Sequence, residues 1–254
     1  MPELQRLAIA PTQQQGEQIL LTAEQQHYLL RVLRLREGDR FIAIDGQGNW
    51  LLSQLTGTSA RILEVITVQT ELPGTVTLIA ALPKNGFDEV VRQTTELGVS
   101  CIMPVTSDRS LLRPSSQKLE RWRRIAAEAA EQSERQLIPE IFDPIPFSES
   151  LLLVNSQILC IGAERRDAPH LLTYLESAKL LDRNSVAIAI GSEGGWTSAE
   201  IAQAISAGWQ PVTLGKRILR AVTAPQAALA LIAAVWESPL SDGEMGRWGD
   251  GEMG

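Results

Sequence analysis

An α/β domain preceded by a smaller β-rich one is the fold class this sequence predicts, and a few features carry the expectation. Five apolar runs without a single charge, at residues 76–82, 101–105, 158–162, 186–190 and 211–214, alternate with helical patterns. Strands covered on both faces read this way, and β-α alternation builds a parallel sheet. Ahead of them, residues 40–45 and 49–55 flank the turn-forming run Asp45-Gly46-Gln47-Gly48-Asn49, and residues 61–68 form a third β-branched run, as hairpin-linked strands do. The chain has 254 residues, 44% apolar and 21% charged, enough for one large globular domain or two smaller ones.

In the β-rich segment one short helix is expected. Thr22 caps it, Glu24 and Gln25 lie in its first turn, Leu29, Leu30, Val32 and Leu33 supply an apolar face, and Gly38 stops it. Glu71-Leu72-Pro73-Gly74 is a turn with no helical or strand period, and the domain boundary is placed there. The expected division is residues 1–72, 75–238 and a tail at 239–254. In the second unit, helices are predicted over 88–97, ended by Gly98; over 117–136, capped by Ser116 and ended before Pro139; and over 199–207, ended by Gly208. Residues 227–236 are apolar on every face, so this last helix must be covered by the protein or by a partner subunit. Beyond it, Asp242-Gly243-Glu244-Met245-Gly246 recurs as Asp250-Gly251-Glu252-Met253-Gly254, too rich in glycine and acid to build a core, and disorder is expected.

Several chemistries fail on inventory. Cys101 and Cys160 are the only cysteines, which excludes a disulfide framework and fits a reducing cytoplasm. The first six residues pair no basic stretch with an apolar one, so no secretory leader is expected, and the apolar stretch 223–236 is too short to cross a bilayer. No metal-ligand spacing occurs. A triad would have to recruit His27 or His170 without a Gly-x-Ser-x-Gly elbow, so both histidines are read as structural or surface groups. The formal charge of −7 argues against a protein coated in positive charge but permits a local basic strip.

Two loops stand out. Ile190-Gly191-Ser192-Glu193-Gly194-Gly195-Trp196-Thr197 joins a buried strand to a helix whose start is marked by the capping box Thr197-x-x-Glu200. Its glycines let backbone approach a ligand, and the free N–H groups of the helix start favour acceptors. It is neither a P-loop nor a Gly-x-Gly-x-x-Gly fingerprint. Leu214-Gly215-Lys216-Arg217-Ile218-Leu219-Arg220 likewise follows a strand, and its basic residues suit an anion. The helix around Trp122 reads as amphipathic, with Leu119, Trp122, Ala126 and Ala129 inward and Arg121, Arg124 and Glu128 free for pairs along the helix; Arg109, Arg113 and Lys118 precede most of it.

These two loops resemble the paired C-terminal motifs of the bacterial 16S ribosomal RNA uridine-N3 methyltransferases, members of the SPOUT superfamily. Thr95-Glu96-Leu97-Gly98-Val99, Arg109-Ser110, Arg121-Trp122 and Glu128-Ala129-Ala130-Glu131-Gln132-Ser133 with Arg135 and Pro139 resemble further motifs in the family's order. So does Arg31-Val32-Leu33-Arg34 with Gly38-Asp39, and the likeness covers nearly everything but the tail. The resemblance implies an N-terminal PUA-like β-barrel that helps hold RNA, and a methyltransferase domain whose C-terminal loops form a deep trefoil knot, an exception to unthreaded chains. It also implies a cytoplasmic homodimer, acting on 16S ribosomal RNA or the small ribosomal subunit, with the target near the interface. S-adenosylmethionine would be held by Gly162, Ala163 and Glu164, by Gly191, Ser192, Glu193, Gly194 and Gly195, and by Leu214, Gly215, Ile218, Leu219 and Arg220. RNA would meet Arg6, Arg31, Arg34, Arg109, Arg113 and Arg135. Arg220, or Arg6 reaching in from the other domain, would stabilise the uracil anion, with Glu193 as proton acceptor or as a holder of the loop through backbone N–H groups.

The chain departs from the family pattern at Ser192 and Lys216, where proline is common, at Ala221-Val222, where the family has Thr-Glu, and at Gly86 and Gln93 in place of lysines. Two alternatives stay open: an RNA-binding or assembly protein of this fold without turnover, and a ribose 2′-O-methyltransferase. A small-molecule enzyme using the glycine loops for a nucleotide is a third.

Overall fold

The computed structural model describes residues 4–110, 114–163, 167–180 and 184–237. The repeated acidic tail lies outside them, as do Arg113 and Glu164.

The N-terminal unit contains β1 (Arg6–Ala8), β2 (Gln14–Gln15), β3 (Gln18–Leu20), α1 (Ala23–His27), β4 (Arg40–Ile44), β5 (Trp50–Thr56) and β6 (Ser59–Ile66). They form one curled sheet in the order β1-β4-β5-β6-β3-β2, antiparallel except where β1 runs parallel to β4. The predicted hairpin is present. Asp45 shapes its tip by accepting from the N–H groups of Gln47 at 2.8 Å and Asn49 at 3.0 Å. The sheet wraps a core of Leu7, Ile19, Leu29, Phe41, Leu51 and Leu55.

The short helix differs from expectation. Thr22 caps it as predicted, but the α-helix closes after five residues and continues as a π-helical turn, Tyr28–Val32. Only Leu29 of the expected apolar face is buried, while Leu30 is 40% and Val32 58% exposed. The wider turn rotates them off the core.

The second unit holds β7 (Thr75–Ala81), α2 (Phe87–Glu96), β8 (Cys101–Thr106), α3 (Ser116–Gln132), β9 (Glu140–Ile141), β10 (Ile145–Pro146), α4 (Phe147–Leu153), β11 (Ile158–Gly162), α5 (Leu171–Ser177), β12 (Ser185–Ile190), α6 (Ser198–Ser206), β13 (Gln210–Val212) and α7 (Thr223–Glu237). All pairings in this sheet are parallel, in the order β10-β8-β7-β12-β11-β13, with β9 beside β8. Alternate residues of β7 divide between two cores. Val76, Leu78 and Ala80 pack with α2, α3, α5 and α7, while Ile79 and Ala81 pack with Phe147, Trp196, Trp209 and Ala204 on the other face. The result is a three-layer α/β/α domain, the arrangement that buries a charge-free parallel sheet.

Helix α3 starts on Ser115, whose hydroxyl accepts from the Lys118 N–H, and stops at Gln132 rather than near residue 136. Glu134 adopts a left-handed φ of 62°, and the Arg135 N–H turns back to the Ala130 carbonyl at 2.9 Å. A Schellman-type reversal therefore ends the helix four residues early. Arg121 pairs across to α2, its Nε donating to Asp88 at 2.8 Å. Helix α7 buries Ala228, Leu229, Ile232 and Trp236 within the chain, leaves Ala230 and Ala234 exposed, and half-buries Ala227, Leu231 and Val235. Among the described residues, only one side of this largely apolar helix is thus covered. Among the described residues no helix is long and apolar enough to cross a membrane, and no cluster of side chains has metal-ligand geometry.

Candidate active site

In a parallel sheet every strand ends at the same edge, and ligands gather there. Here β12, β11 and β13 are neighbours, so the loops leaving Ile190, Gly162 and Val212 emerge side by side. Backbone hydrogen bonds stitch the loops after β11 and β13 together. The Ala163 N–H donates to the Val212 carbonyl at 2.8 Å, the Thr213 N–H to that of Pro169 at 2.9 Å, and the Leu171 N–H to that of Thr213 at 2.9 Å. His170 takes the structural role expected of it: its Nδ1 accepts from the Leu172 N–H at 3.2 Å, at the start of α5.

The glycine loop 191–195 is held from three sides. Its capping box forms as predicted, with Thr197 Oγ1 accepting from the Glu200 N–H at 3.2 Å and Glu200 accepting from the Thr197 N–H at 2.7 Å. Glu200 also accepts from the Asp108 N–H at 2.9 Å, and Arg109 donates to the Gly194 carbonyl, so the loop after β8 clasps the glycines. From the loop after β7, the Lys84 N–H donates to both oxygens of Glu193, at 3.0 and 3.2 Å. A cleft of about 310 Å³ opens between Lys84, Arg109, Glu193 and Gly194.

Space is as tight as the glycines imply. A Cβ on Gly191 would lie 3.1 Å from Gly195 Cα, and one on Gly162 3.0 Å from Ile190 Cδ1. Ser192 is 6% exposed, and its Oγ has no hydrogen-bond partner among the described residues. On the third loop Leu214 and Gly215 are half-buried, while Lys216, Arg217, Ile218 and Arg220 are exposed, Ile218 by 77%. An orphaned buried hydroxyl, close-packed glycine backbone and an outward apolar side chain fit a ligand with both polar and apolar parts. S-adenosylmethionine has both. Two of the departures from the family pattern lie against each other: Gly86 is so close to Val222 that a Cβ would come within 2.8 Å of its Cγ2, and Gln226, which donates to the Val222 carbonyl, also donates to Gln93.

The structure corrects other expectations. Arg135 is not available to RNA: it is 3% exposed, paired with Glu71 at 2.6 Å, and donates to the carbonyls of Thr95 and Val99. A guanidinium so placed satisfies buried acceptors rather than a phosphate. Arg6 pairs with Glu134 at 2.7 Å, beyond the C-terminal end of α3 and next to Arg135, which is bound to Val99 ahead of β8. That is the amino edge of the sheet. The glycine loops occupy the opposite edge, ~17–23 Å away across strands of five to seven residues, so Arg6 does not reach the loops of its own chain. Arg109 is exposed, yet its guanidinium serves Gly194. Glu193 holds the loop by accepting a backbone N–H, as one of its two expected roles required. Arg31, Arg34 and Arg220 are exposed.

Sequence reasoning missed Lys84 and Asp108 as loop anchors; their signal is that each follows the end of a parallel strand. Thiol chemistry has no support, because burial pushes Cys160 up to about 12 and, with help from Glu140, Cys101 likewise up to about 12.

Comparison with known proteins gives a consistent picture. A family model described as an RNA methyltransferase domain matches residues 70–233, and one described as an RNA methyltransferase PUA domain matches residues 21–68. The Synechocystis sp. ribosomal RNA small subunit methyltransferase E is 48% identical over 92% of this chain and 78% of its own length. That of Bacillus subtilis is 31% identical over 91% of this chain and 96% of its own. Among solved structures, the Neisseria gonorrhoeae ribosomal RNA small subunit methyltransferase E bound to S-adenosyl methionine matches with a TM-score of 0.82 at 33% identity, over 92% of this chain and 98% of that one. A putative Legionella pneumophila methyltransferase with bound cofactor SAM matches equally well, TM-score 0.82, at 26% identity over 92% and 98%.

Proposed function

Because the chain belongs to the RNA methyltransferase family whose domain model spans residues 70–233, we propose that it transfers a methyl group from S-adenosylmethionine to N3 of a uridine in 16S ribosomal RNA. The observation that carries this reading is the convergence of the loops after β11, β12 and β13 at one sheet edge, with glycine backbone packed as tightly as a ligand cradle requires.

When bound, the cofactor supplies a methyl group already activated by its sulfonium. The residues then have three tasks: to hold the donor, to align the base, and to favour loss of the N3 proton. Gly162, Ala163, residues 191–195 and residues 214–219 hold the donor. The Arg220 guanidinium, exposed beside the third loop, faces the uracil carbonyls and stabilises the charge that develops as the proton leaves. In this reading Glu193 anchors the loop through the Lys84 N–H, and solvent takes the N3 proton.

In this reading the chain divides at residues 1–72, 75–238 and 239–254. The N-terminal unit is a PUA-like barrel that presents Arg31 and Arg34 to RNA, the C-terminal loops are threaded as a trefoil knot, and the protein works in the cytoplasm without a metal. The uncovered side of α7 pairs two subunits, and any contact of Arg6 with the target comes from the second one. A binding protein without turnover is the other reading, favoured by apolar Ala221 and Val222 next to Arg220.

Tritiated methyl transfer into small subunits from cells lacking the enzyme, with the product identified by mass spectrometry, tests the proposal. N3-methyluridine is the expected product. Methylation at a ribose oxygen moves the chain to another SPOUT activity, and cofactor binding without product supports the non-enzymatic reading.

A further inference from the structure

A single carboxylate ties together the connector between the two units and the segment that docks one on the other. Glu71 lies between β6 and β7. One of its oxygens accepts from the N–H groups of Gln136 at 2.8 Å and Leu137 at 3.0 Å, and the other from Arg135 Nε at 3.1 Å and Nη2 at 2.6 Å. Arg135 in turn donates through Nη1 to the carbonyls of Thr95 at 3.0 Å and Val99 at 2.7 Å, at the end of α2 and just beyond it. The connector is thereby fastened to the methyltransferase domain by an ion pair in which a buried guanidinium, 3% exposed, directs two N–H groups at one oxygen of a half-buried carboxylate.

The next three residues reach the other unit. The Gly48 N–H donates to the Gln136 carbonyl at 3.1 Å, Gln136 Nε2 to the Gly48 carbonyl at 3.1 Å, and the Ile138 N–H to the Gly46 carbonyl at 3.2 Å. Gln47 and Leu137 form an antiparallel bridge. Residues 136–138 are thus a strap laid along the β4–β5 hairpin tip, which Asp45 holds rigid. At its edge, Gly46 has φ +69°, and a Cβ there would sit 2.6 Å from Ile138 Cδ1. Ladder bonds of this kind constrain orientation, whereas units joined only by a connector move freely.

We infer that Glu71 and Arg135 are positioning residues for the RNA substrate: by locking the connector onto the strap they set the angle between the two sheets, and with it the span over which one RNA is held. The inference rests on the proposed function, in which both units hold RNA.

Two full-length variants test it. Glu71→Gln weakens the lock itself, and Gly46→Val pushes the strap off the hairpin without touching the ion pair. Small-angle scattering reads the distances between units, calorimetry reads cofactor affinity, and initial rates on small ribosomal subunits separate KM from kcat. The expected result is a broadened distance distribution and a KM for the subunit raised about tenfold, with cofactor affinity and kcat within about threefold of the parent. Unchanged scattering and KM in either folded variant overturn the inference. So does a parallel fall in cofactor affinity, which would make the pair a stabiliser of the methyltransferase domain alone. If the parent transfers no methyl group, the proposed function fails by itself; the scattering then decides the lock, broadened distances supporting it and unchanged ones overturning it.

Discussion

The Glu193 carboxylate straddles the backbone N–H of Lys84, accepting it at 3.0 and 3.2 Å through its two oxygens. This contact joins the glycine loop to the end of β7, and it uses the one acidic side chain that lines the cleft among the described residues. A carboxylate engaged in this way anchors a loop. A glutamine at residue 193 offers the same acceptor without the charge. Glu193→Gln should keep kcat within about fivefold of the parent and leave the pH–rate profile unchanged, whereas loss of a true general base costs ~10²–10⁴-fold. Arg220→Ala, by contrast, should lower kcat by about 10²-fold with little change in cofactor affinity.

Gly191 packs against the far side of its own loop, where a Cβ would lie 3.1 Å from both Gly195 Cα and its carbonyl carbon. Both neighbours are backbone and cannot yield without moving the loop. Gly191→Ala should therefore weaken S-adenosylmethionine binding by tenfold or more, about 1.4 kcal/mol, by calorimetry, while the circular dichroism stays that of the parent. Unaltered affinity would mean that the loop does not form the cofactor site.

Asp88 satisfies two donors of α3: Arg121 Nε at 2.8 Å and Trp122 Nε1 at 2.9 Å. Trp122 is fully buried against Phe87, with ring centroids 4.4 Å apart, whereas the Arg121 side chain is 60% exposed. The stabilising part of the cluster is therefore the indole bond, since an exposed ion pair contributes little. Asp88→Ala strands a buried N–H and should cost about 1–3 kcal/mol in urea unfolding, and Asp88→Asn should recover most of it. Equal losses in the two variants would assign the stability to the ion pair instead.

Glu131 accepts the Ala8 N–H at 2.7 Å where α3 meets β1. Burial raises its carboxyl above the ordinary value of 4.5, the Ala8 N–H opposes the shift, and Glu128 adds to the rise. A carboxyl so raised binds its proton more tightly in the folded protein. Its stabilising contribution is full below 4.5 and is lost as pH climbs through the raised value. Glu131→Gln keeps an acceptor for Ala8 and removes the charge, so it should raise Tm near neutral pH, with the gain fading as the medium is acidified below the ordinary carboxylate range. A lower Tm at neutral pH would show that the charge itself holds the units together.

Local pattern was enough to place the charge-free strands, the glycine loop with its Thr197–Glu200 cap, and the helix stops at Gly98 and Gly208, because each depends on residues within a few positions of one another. The short strands β2, β3 and β9 were not visible, since a partner strand rather than a period defines them. Helices α4 and α5, seven residues each, are too short to show a face. The roles of charged groups were decided by tertiary structure alone. Lys84 and Glu193 are 109 positions apart, and Arg135 and Glu71 are 64 apart. Nothing near Arg135 in the chain distinguishes a guanidinium that meets phosphate from one that closes on a distant carboxylate of its own chain. Likewise Arg6 lies at the amino edge of the sheet, because β1 docks on the C-terminal end of α3, a helix that runs back from the edge where the ligand loops gather.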